Sequence, residues 1–364
     1  MKSVPIECTV EELTNKIKPN LLNDSPVTAS CSIFRVPDQI RRKKVQAYEP
    51  DVISIGPFHR GQGGRRFRLM ENVKRWYLQR LLLHASMTLP DLIEGVVDLD
   101  KRVRDCYAEP LDLNKKEFVE MMEMPPSSLT NLVLNFFIEY LGDNHILNRS
   151  EELHPKFLHI LDLIRTVIVA PFENQSKGTQ MPRIPNATTL SEAGIKFEKS
   201  SKPSSCILDI KFDKGVITMP RLVIDERTGP LFRNLIAFEQ CYYSCPHMIT
   251  SYAVLMDNLI NSSKDIDLLS DKKILENWLS SEDAAQFFND LYNDTTVMGS
   301  YYGNLCQKVS DHYNRRWNKW MEKLRRDHFN SPWAIISLVA ALILLVLTVL
   351  QTVYTIHQYY YPPK

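Results

Sequence analysis

Glycine is scarce. The chain has 12 in 364 residues, beside 21 prolines, which argues against a Gly-rich nucleotide-binding α/β fold and for helices joined by Pro-marked turns. Net charge is nearly absent as well. With 44 Lys+Arg against 43 Asp+Glu, the balance is +1, so there is no bulk field to draw nucleic acid and any basic excess is local. Nothing at the start resembles a signal peptide, since MKSVPIECTVEEL has no apolar core and acids appear by Glu7. The seven cysteines (Cys8, Cys31, Cys106, Cys206, Cys241, Cys245 and Cys306) are odd in number and scattered. They suit reduced thiols better than a disulfide framework. No internal repeat is evident.

One more absence organises the reading. From Trp333 to Ile356 there are 24 residues without a charge, and 14 of them are Leu, Ile or Val. At ~1.5 Å per residue such a helix is about 36 Å long, enough for a hydrocarbon core of ~30 Å. The sequence therefore predicts one transmembrane helix over 330–356, with Trp333, Ile336, Leu342, Leu345, Val349 and Ile356 along it and a short tail at 357–364. Arg315, Arg316, Lys319, Lys323, Arg325 and Arg326 precede it, and only Lys364 follows. The positive side faces cytosol, so the expectation is a tail-anchored, single-pass protein of the plasma membrane or endomembranes, head inward. Its juxtamembrane cations would touch membrane lipid. In a cytosolic head the sequons at Asn148, Asn174, Asn186, Asn261 and Asn293 would stay bare.

The remaining ~330 residues suffice for one large domain or two packed ones, and 44% hydrophobic with 24% charged residues is the profile of a packed head. Residues 1–26 offer at most a short helix near Val10 to Lys18. Asp38 to Val45 reads as a basic helix, Val52 to Gly56 as extended chain. Leu69, Val73, Trp76, Tyr77 and Leu81 recur at helical spacing. Amphipathic helices follow at Leu92 to Tyr107, Leu129 to Leu141 and Phe157 to Val169, then a polar loop over 173–188. Thr189 and Glu192 fit a capping box. Short strands are predicted at Ile195–Glu198, Ile207–Phe212, Gly215–Met219 and Leu222–Ile224, with a hairpin turn at Asp213-Lys214-Gly215. Further helices are predicted at Leu231–Tyr243, Thr250–Asn261, Lys272–Leu279 and Asp283–Asn293, with a long one from Tyr301 to about Arg326. The class is mainly α (α+β), a helical head with a small antiparallel sheet.

Several strings carry a resemblance. CSIFRVP (Cys31 to Pro37), YEPDVISIGPFH (Tyr48 to His59) and RWYLQ (Arg75 to Gln79) come first. ILDIKF (Ile207 to Phe212), MPRLVID (Met219 to Asp225), LFRNLIAFEQC (Leu231 to Cys241), RRWNKW (Arg315 to Trp320) and PWAIISLVAA (Pro332 to Ala341) follow in order. Together, over about residues 27–356, they resemble the plant "domain of unknown function 247" family. The resemblance implies a plant-restricted, largely helical protein with a C-terminal span, and parts of that family are associated with self-recognition and with defence or stress. It supplies no catalytic residues. It also implies a departure: KEFVEMM (Lys116 to Met122) passes directly to EMPPSSLTNLVLNFF, so this looks like a shortened member lacking two apolar runs at Pro125-Pro126. The regions are then 27–124 and 125–329.

Candidate chemistry is thin. His59, Arg60, Arg65 and Arg66 bracket a Gly-rich turn before a helix, an arrangement able to hold phosphate. It lacks the Gly-Lys-Ser/Thr ending of a P-loop, and a solvated basic turn is the plainer reading. Cys241, Cys245 and His247 have no matched second pair for zinc, and buried thiols are the plainer reading. Cys31 with His59 lacks an orienting third group, and His154 and His159, five apart, do not share a helix face. The expectation is therefore a non-enzymatic protein with no cofactor and no metal, binding an unidentified protein partner and no nucleic acid. The alternatives are a hydrolase or transferase of unrecognised kind, or a non-functional truncated relative.

Overall fold

The computed structural model describes residues 10–21, 31–60, 65–122, 136–137, 157–172, 178, 181–201, 206–293, 295–296, 299–315 and 332–360. The chain divides into two units, Met1–Pro37 with Glu49–Pro126, and Asp38–Tyr48 with Ser127–Lys364. Each is taken by itself.

Among the described residues, the N-terminal unit holds four helices of six or more residues: α1 (Val10–Ile17), α3 (Arg65–Ala85), α4 (Leu89–Arg104) and α5 (Lys115–Met121). α2 (Asp38–Arg41) belongs to the other unit. Thr88 starts α4 through a capping box with Asp91, and Asn114 starts α5 through one with Glu117. Each box satisfies backbone N–H groups that a helix end leaves open. The hydrogen bonds from Thr88, side chain first and then backbone, hold the Asp91 carboxyl below its ordinary range. The apolar centre is small: Leu92 and Val96 of α4 and Phe118 of α5 are buried, as is Cys31. The Arg104 guanidinium covers the Phe118 ring at 4.3 Å. The strand-like stretch at Ile33 is held to the end of α4, where Ser32 and Ile33 N–H groups both donate to the Cys106 carbonyl and Ala108 N–H donates to Ile33.

The C-terminal unit is built differently. Its helices are α6 (Ile160–Val169), α7 (Ala187–Glu192), α8 (Thr228–Cys241), α9 (Met248–Leu259), α10 (Ser263–Asp271), α11 (Ser281–Asp290), α12 (Gly303–Tyr313) and α13 (Pro332–Tyr360). β1 (Lys196–Lys199), β2 (Lys211–Asp213) and β3 (Val216–Met219) form one sheet in the order β1-β3-β2. β4 (Leu222–Ile224) and β5 (Leu275–Asn277) form a second. α8 and α9 lie at the centre of one large core, with Leu235, Ile249, Ala253, Leu255 and Met256 excluded from solvent. Phe232 of α8 stacks on Tyr252 of α9 at 6.0 Å.

The sheet departs from the antiparallel expectation. β2 and β3 are antiparallel, but β1 pairs with β3 in parallel, and so does β4 with β5. The hairpin turn is where the sequence places it: Lys214 (φ 46) and Gly215 (φ 84) are both left-handed, as a two-residue primed turn requires. The helix predicted over Lys272–Leu279 is instead strand β5. α10 stops because Lys273 turns left-handed (φ 58), with its N–H on the Ser270 carbonyl and that of Ile274 on Leu269. This ring closure ends a helix, and β4 then recruits the chain. The cap of α7 is Asn186, whose side chain accepts from Thr189 N–H, rather than Thr189 itself. β2 is shorter than expected, and the helix expected to reach Arg326 is described as far as Tyr313. The expected helix over Leu129 to Leu141 lies outside the described residues apart from residues 136–137.

The membrane span is corrected. The chain is helical from Pro332 to Tyr360, but among the described residues no helix is long and apolar enough to cross a membrane. The single-pass, tail-anchored localisation falls with it, as do the transmembrane roles given to Trp333, Ile336, Leu342, Leu345, Val349 and Ile356.

Candidate functional site

The residues singled out from sequence do not converge. Arg60 is spent locally: its guanidinium donates to the Glu117 carbonyl and pairs with Glu120 at 3.7 Å, tying the turn to α5. Residues 61–64 and the side chains of Arg65 and Arg66 lie outside the described residues, as do Arg316, Lys319, Lys323, Arg325 and Arg326. Arg315 is exposed just beyond α12. Burial raises the Cys31 thiol, and it pushes Cys241 up to about 11 and Cys245 up to about 12. All three thiols are thereby held protonated, the wrong form for a nucleophile. Among the described residues no group of three or more His, Cys, Asp or Glu could hold a metal. His159 has a structural task instead, accepting at Nδ1 from Asp162 N–H as the cap of α6.

Two buried carboxylates that sequence reasoning passed over turn out to be structural. Glu239 of α8 pairs with Arg165 of α6 at 3.2 Å and accepts from Ile249 N–H, Thr250 N–H and the Thr250 hydroxyl. Arg165 also donates to the Pro246 carbonyl. The carboxylate thus satisfies the open N-terminus of α9 while neutralising a buried guanidinium. Asp265 of α10 accepts from Thr188 (N–H and hydroxyl), Asn186, Asn261 N–H and Ser262 (N–H and hydroxyl). Burial alone would raise its pKa, yet these hydrogen bonds outweigh burial and hold it below the ordinary value. The sequon residue Asn186 is committed to both Asp265 and the α7 cap.

Besides the exposed apolar residues of α13, two features stand out. One is a cleft of about 560 Å³ on the outer face of the β4–β5 sheet, lined by Arg221, Val223, Asp225, Glu276 and Trp278 among others. Two of its charged groups answer one another, Arg221 pairing with Glu276 across the strands, and Asp225 is committed to the Arg227 and Thr228 N–H groups at the start of α8.

The other is α3, a 21-residue helix none of whose described side chains is buried. The periodicity read from sequence is there, but its face points outward: Leu69 is 69%, Trp76 54%, Tyr77 58% and Leu83 68% exposed. At ~100° per residue, Leu69, Trp76 and Leu83 fall in one stripe about 40° wide. Arg80 lies just beyond the edge of that stripe, about 40° from Trp76, its guanidinium 5.2 Å from the Trp76 ring, and Tyr77 meets Trp76 edge-on at 4.9 Å. Lys74, about 160° round the helix from Trp76, donates to the Ser54 carbonyl and pairs with Glu71 at 2.6 Å. The side of α3 that carries Lys74 also carries the half-buried Phe67, Met70, Leu78 and Leu82, while Leu69, Trp76 and Leu83 face solvent.

DUF247, described as a plant protein of unknown function, matches residues 33–124 and 123–347. The chain belongs to this family. Among similar proteins of Arabidopsis thaliana, this DUF247 member is 27% identical to UPF0481 protein At3g47200 over 428 residues, covering 94% of this chain and 90% of the relative. It is 28% identical to putative UPF0481 protein At3g02645 over 171 residues, 46% of this chain and about a third (32%) of the relative. No solved structure matches it. The two family segments meet at residues 123–124, just beyond α5, and the longer alignment exceeds the 364 residues of the chain.

Proposed function

We propose that this DUF247 member is a non-enzymatic recognition protein that binds another protein through the exposed face of α3. A single observation carries the reading. A helix of 21 residues keeps Leu69, Trp76 and Leu83 in water while Lys74 on its far side is tied down. Helices in proteins draw most of their stability from packing an apolar face, and contiguous exposed apolar patches mark interaction surfaces. Large aromatics such as Trp and Tyr dominate the binding energy of such surfaces. The paired charges of the β4–β5 cleft and the protonated thiols of Cys31, Cys241 and Cys245 favour binding over chemistry. The abutting family segments and the length of the alignment support an interior segment lost relative to longer members, close to Pro125-Pro126. Sequencing the transcript across Met122–Ser128 tests that part.

The functional test compares co-purified partners of the intact protein with those of Leu69→Glu/Trp76→Glu/Leu83→Glu and of Trp278→Ala. Partners lost with the α3 triple variant and kept with Trp278→Ala are expected. Partners kept with the triple variant would defeat the reading.

A further inference from the structure

We propose that the partner of α3 is a calcium-loaded sensor of the EF-hand kind, which clamps an amphipathic helix in an acidic-rimmed, Met-rich groove. This rests on the recognition reading above and names the class of its partner. Two features of α3 select it. The first is the spacing of the anchors. Leu69, Trp76 and Leu83 stand seven apart with Val73 between, the i, i+4, i+7 pattern by which helix-in-groove ligands are read. The second is charge. Between Arg65 and Ala85 the helix carries Arg65, Arg66, Arg68, Lys74, Arg75 and Arg80 against the single acid Glu71, and a basic amphipathic helix is the kind of ligand that an acidic groove takes.

The distribution of those cations separates a clamp from the two rival occupants. Arg68 and Arg75 lie about 80–100° to one side of Trp76, Lys74 behind it, and Arg80 about 40° to the other side. A flat anionic lipid surface meets one side of a helix and would have to draw Arg80 toward the acyl boundary with the anchors. A groove with carboxylates on its rim meets cations on several sides at once. A second copy of the chain would set α3 against α3, bringing strongly positive surfaces together and opposing association. The anchor side of the helix is open to a groove, because Leu69, Trp76 and Leu83 are exposed and the Lys74 hydrogen bond to the Ser54 carbonyl lies on the side away from them. Calcium is the switch: the sensor's groove opens and exposes its methionines when the ion binds, so the affinity for α3 should appear with calcium and vanish with a chelator.

The experiment titrates the full chain with purified calmodulin by calorimetry, in calcium and in EGTA. One-to-one binding in calcium alone is expected, weakened at least about 30-fold by Trp76→Ala, a hot-spot loss of ~2 kcal/mol or more. Weakening by Arg80→Glu is expected too, with both variants melting as the parent does. Leu69→Gln/Leu83→Gln serves as a second anchor variant should Trp76→Ala melt low. Absence of binding, equal binding in EGTA, or indifference to Trp76→Ala and to the double variant would overturn the proposal. So would binding to phosphatidylserine-containing vesicles, or self-association in sedimentation, if either is lost in Trp76→Ala while calmodulin does not bind. If calmodulin fails but the co-purified partners still depend on Leu69, Trp76 and Leu83, the sensor alone falls and recognition through α3 stands. If neither depends on them, both fall.

Discussion

Helices α8 and α9 of the C-terminal unit and α3 of the N-terminal unit use their hydrophobic residues in opposite ways. In the C-terminal unit α8 and α9 bury nine residues each along their lengths, and two buried carboxylates have every visible obligation met. In the N-terminal unit the longest helix buries none of its described side chains and shows Leu69, Trp76 and Leu83 to solvent. Both patterns are the same periodic alternation in sequence. What differs is whether another element of the unit lies against the apolar stripe. The lesson is a division of labour between helices: α8 and α9 supply folding free energy, α3 supplies a surface whose energy is released only on binding.

The comparison can be broken hardest at Glu239. Glu239→Ala leaves Arg165 charged in a buried site and strips acceptors from the start of α9, so a loss of about 3–5 kcal/mol is expected. Chemical denaturation of the full chain should lose its cooperative transition or move it to much lower denaturant. A shift near zero would mean the C-terminal core does not depend on this pair.

Asp265→Ala comes next, with a loss of about 2–3 kcal/mol from donors left open. It should also flatten the acid limb of stability. The Asp265 carboxyl has a lower pKa folded than unfolded, so its contribution is complete above the ordinary carboxylate value. That contribution is lost as pH falls through the lower, folded-state value. Melting followed below pH 5 would show the parent losing stability more steeply than the variant; equal slopes would remove the argument. At the other end stands Trp76→Ala. In an exposed, unpacked position it should shift stability by no more than about 0.5 kcal/mol, while partner binding collapses. A large loss of stability would show that α3 is packed after all.

Element existence was legible in the chain where local chemistry decides it. The hairpin at Lys214-Gly215, β4 and the helices around Leu235 and Ala253 were all within reach of periodicity and turn residues. β5 was not, because Ile274, Leu275 and Trp278 carry helical spacing and the choice is made by pairing with β4, a partner fifty residues away in sequence. Strand direction was hidden for the same reason: nothing local says that β1 should run parallel to β3. The apolar run after Pro332 suggested a span that the described helix does not support. For the candidate site, the stripe on α3 was visible but not its orientation. Leu69 and Trp76 look like core residues until the structure shows Lys74 holding the helix by its other side. Glu239 gave no local sign of its role, and Asp265 only the capping-box spacing with Ser262, since Arg165 and Thr188 come from distant elements.

Hydrogen exchange read by mass spectrometry on the intact chain measures the contrast between the units directly. The account predicts that amides of Thr228–Cys241 and Met248–Leu259 exchange orders of magnitude more slowly than those of Arg65–Ala85, as packed and unpacked helices do. Protection of Arg65–Ala85 equal to that of the two core helices, in the absence of any partner, would contradict it.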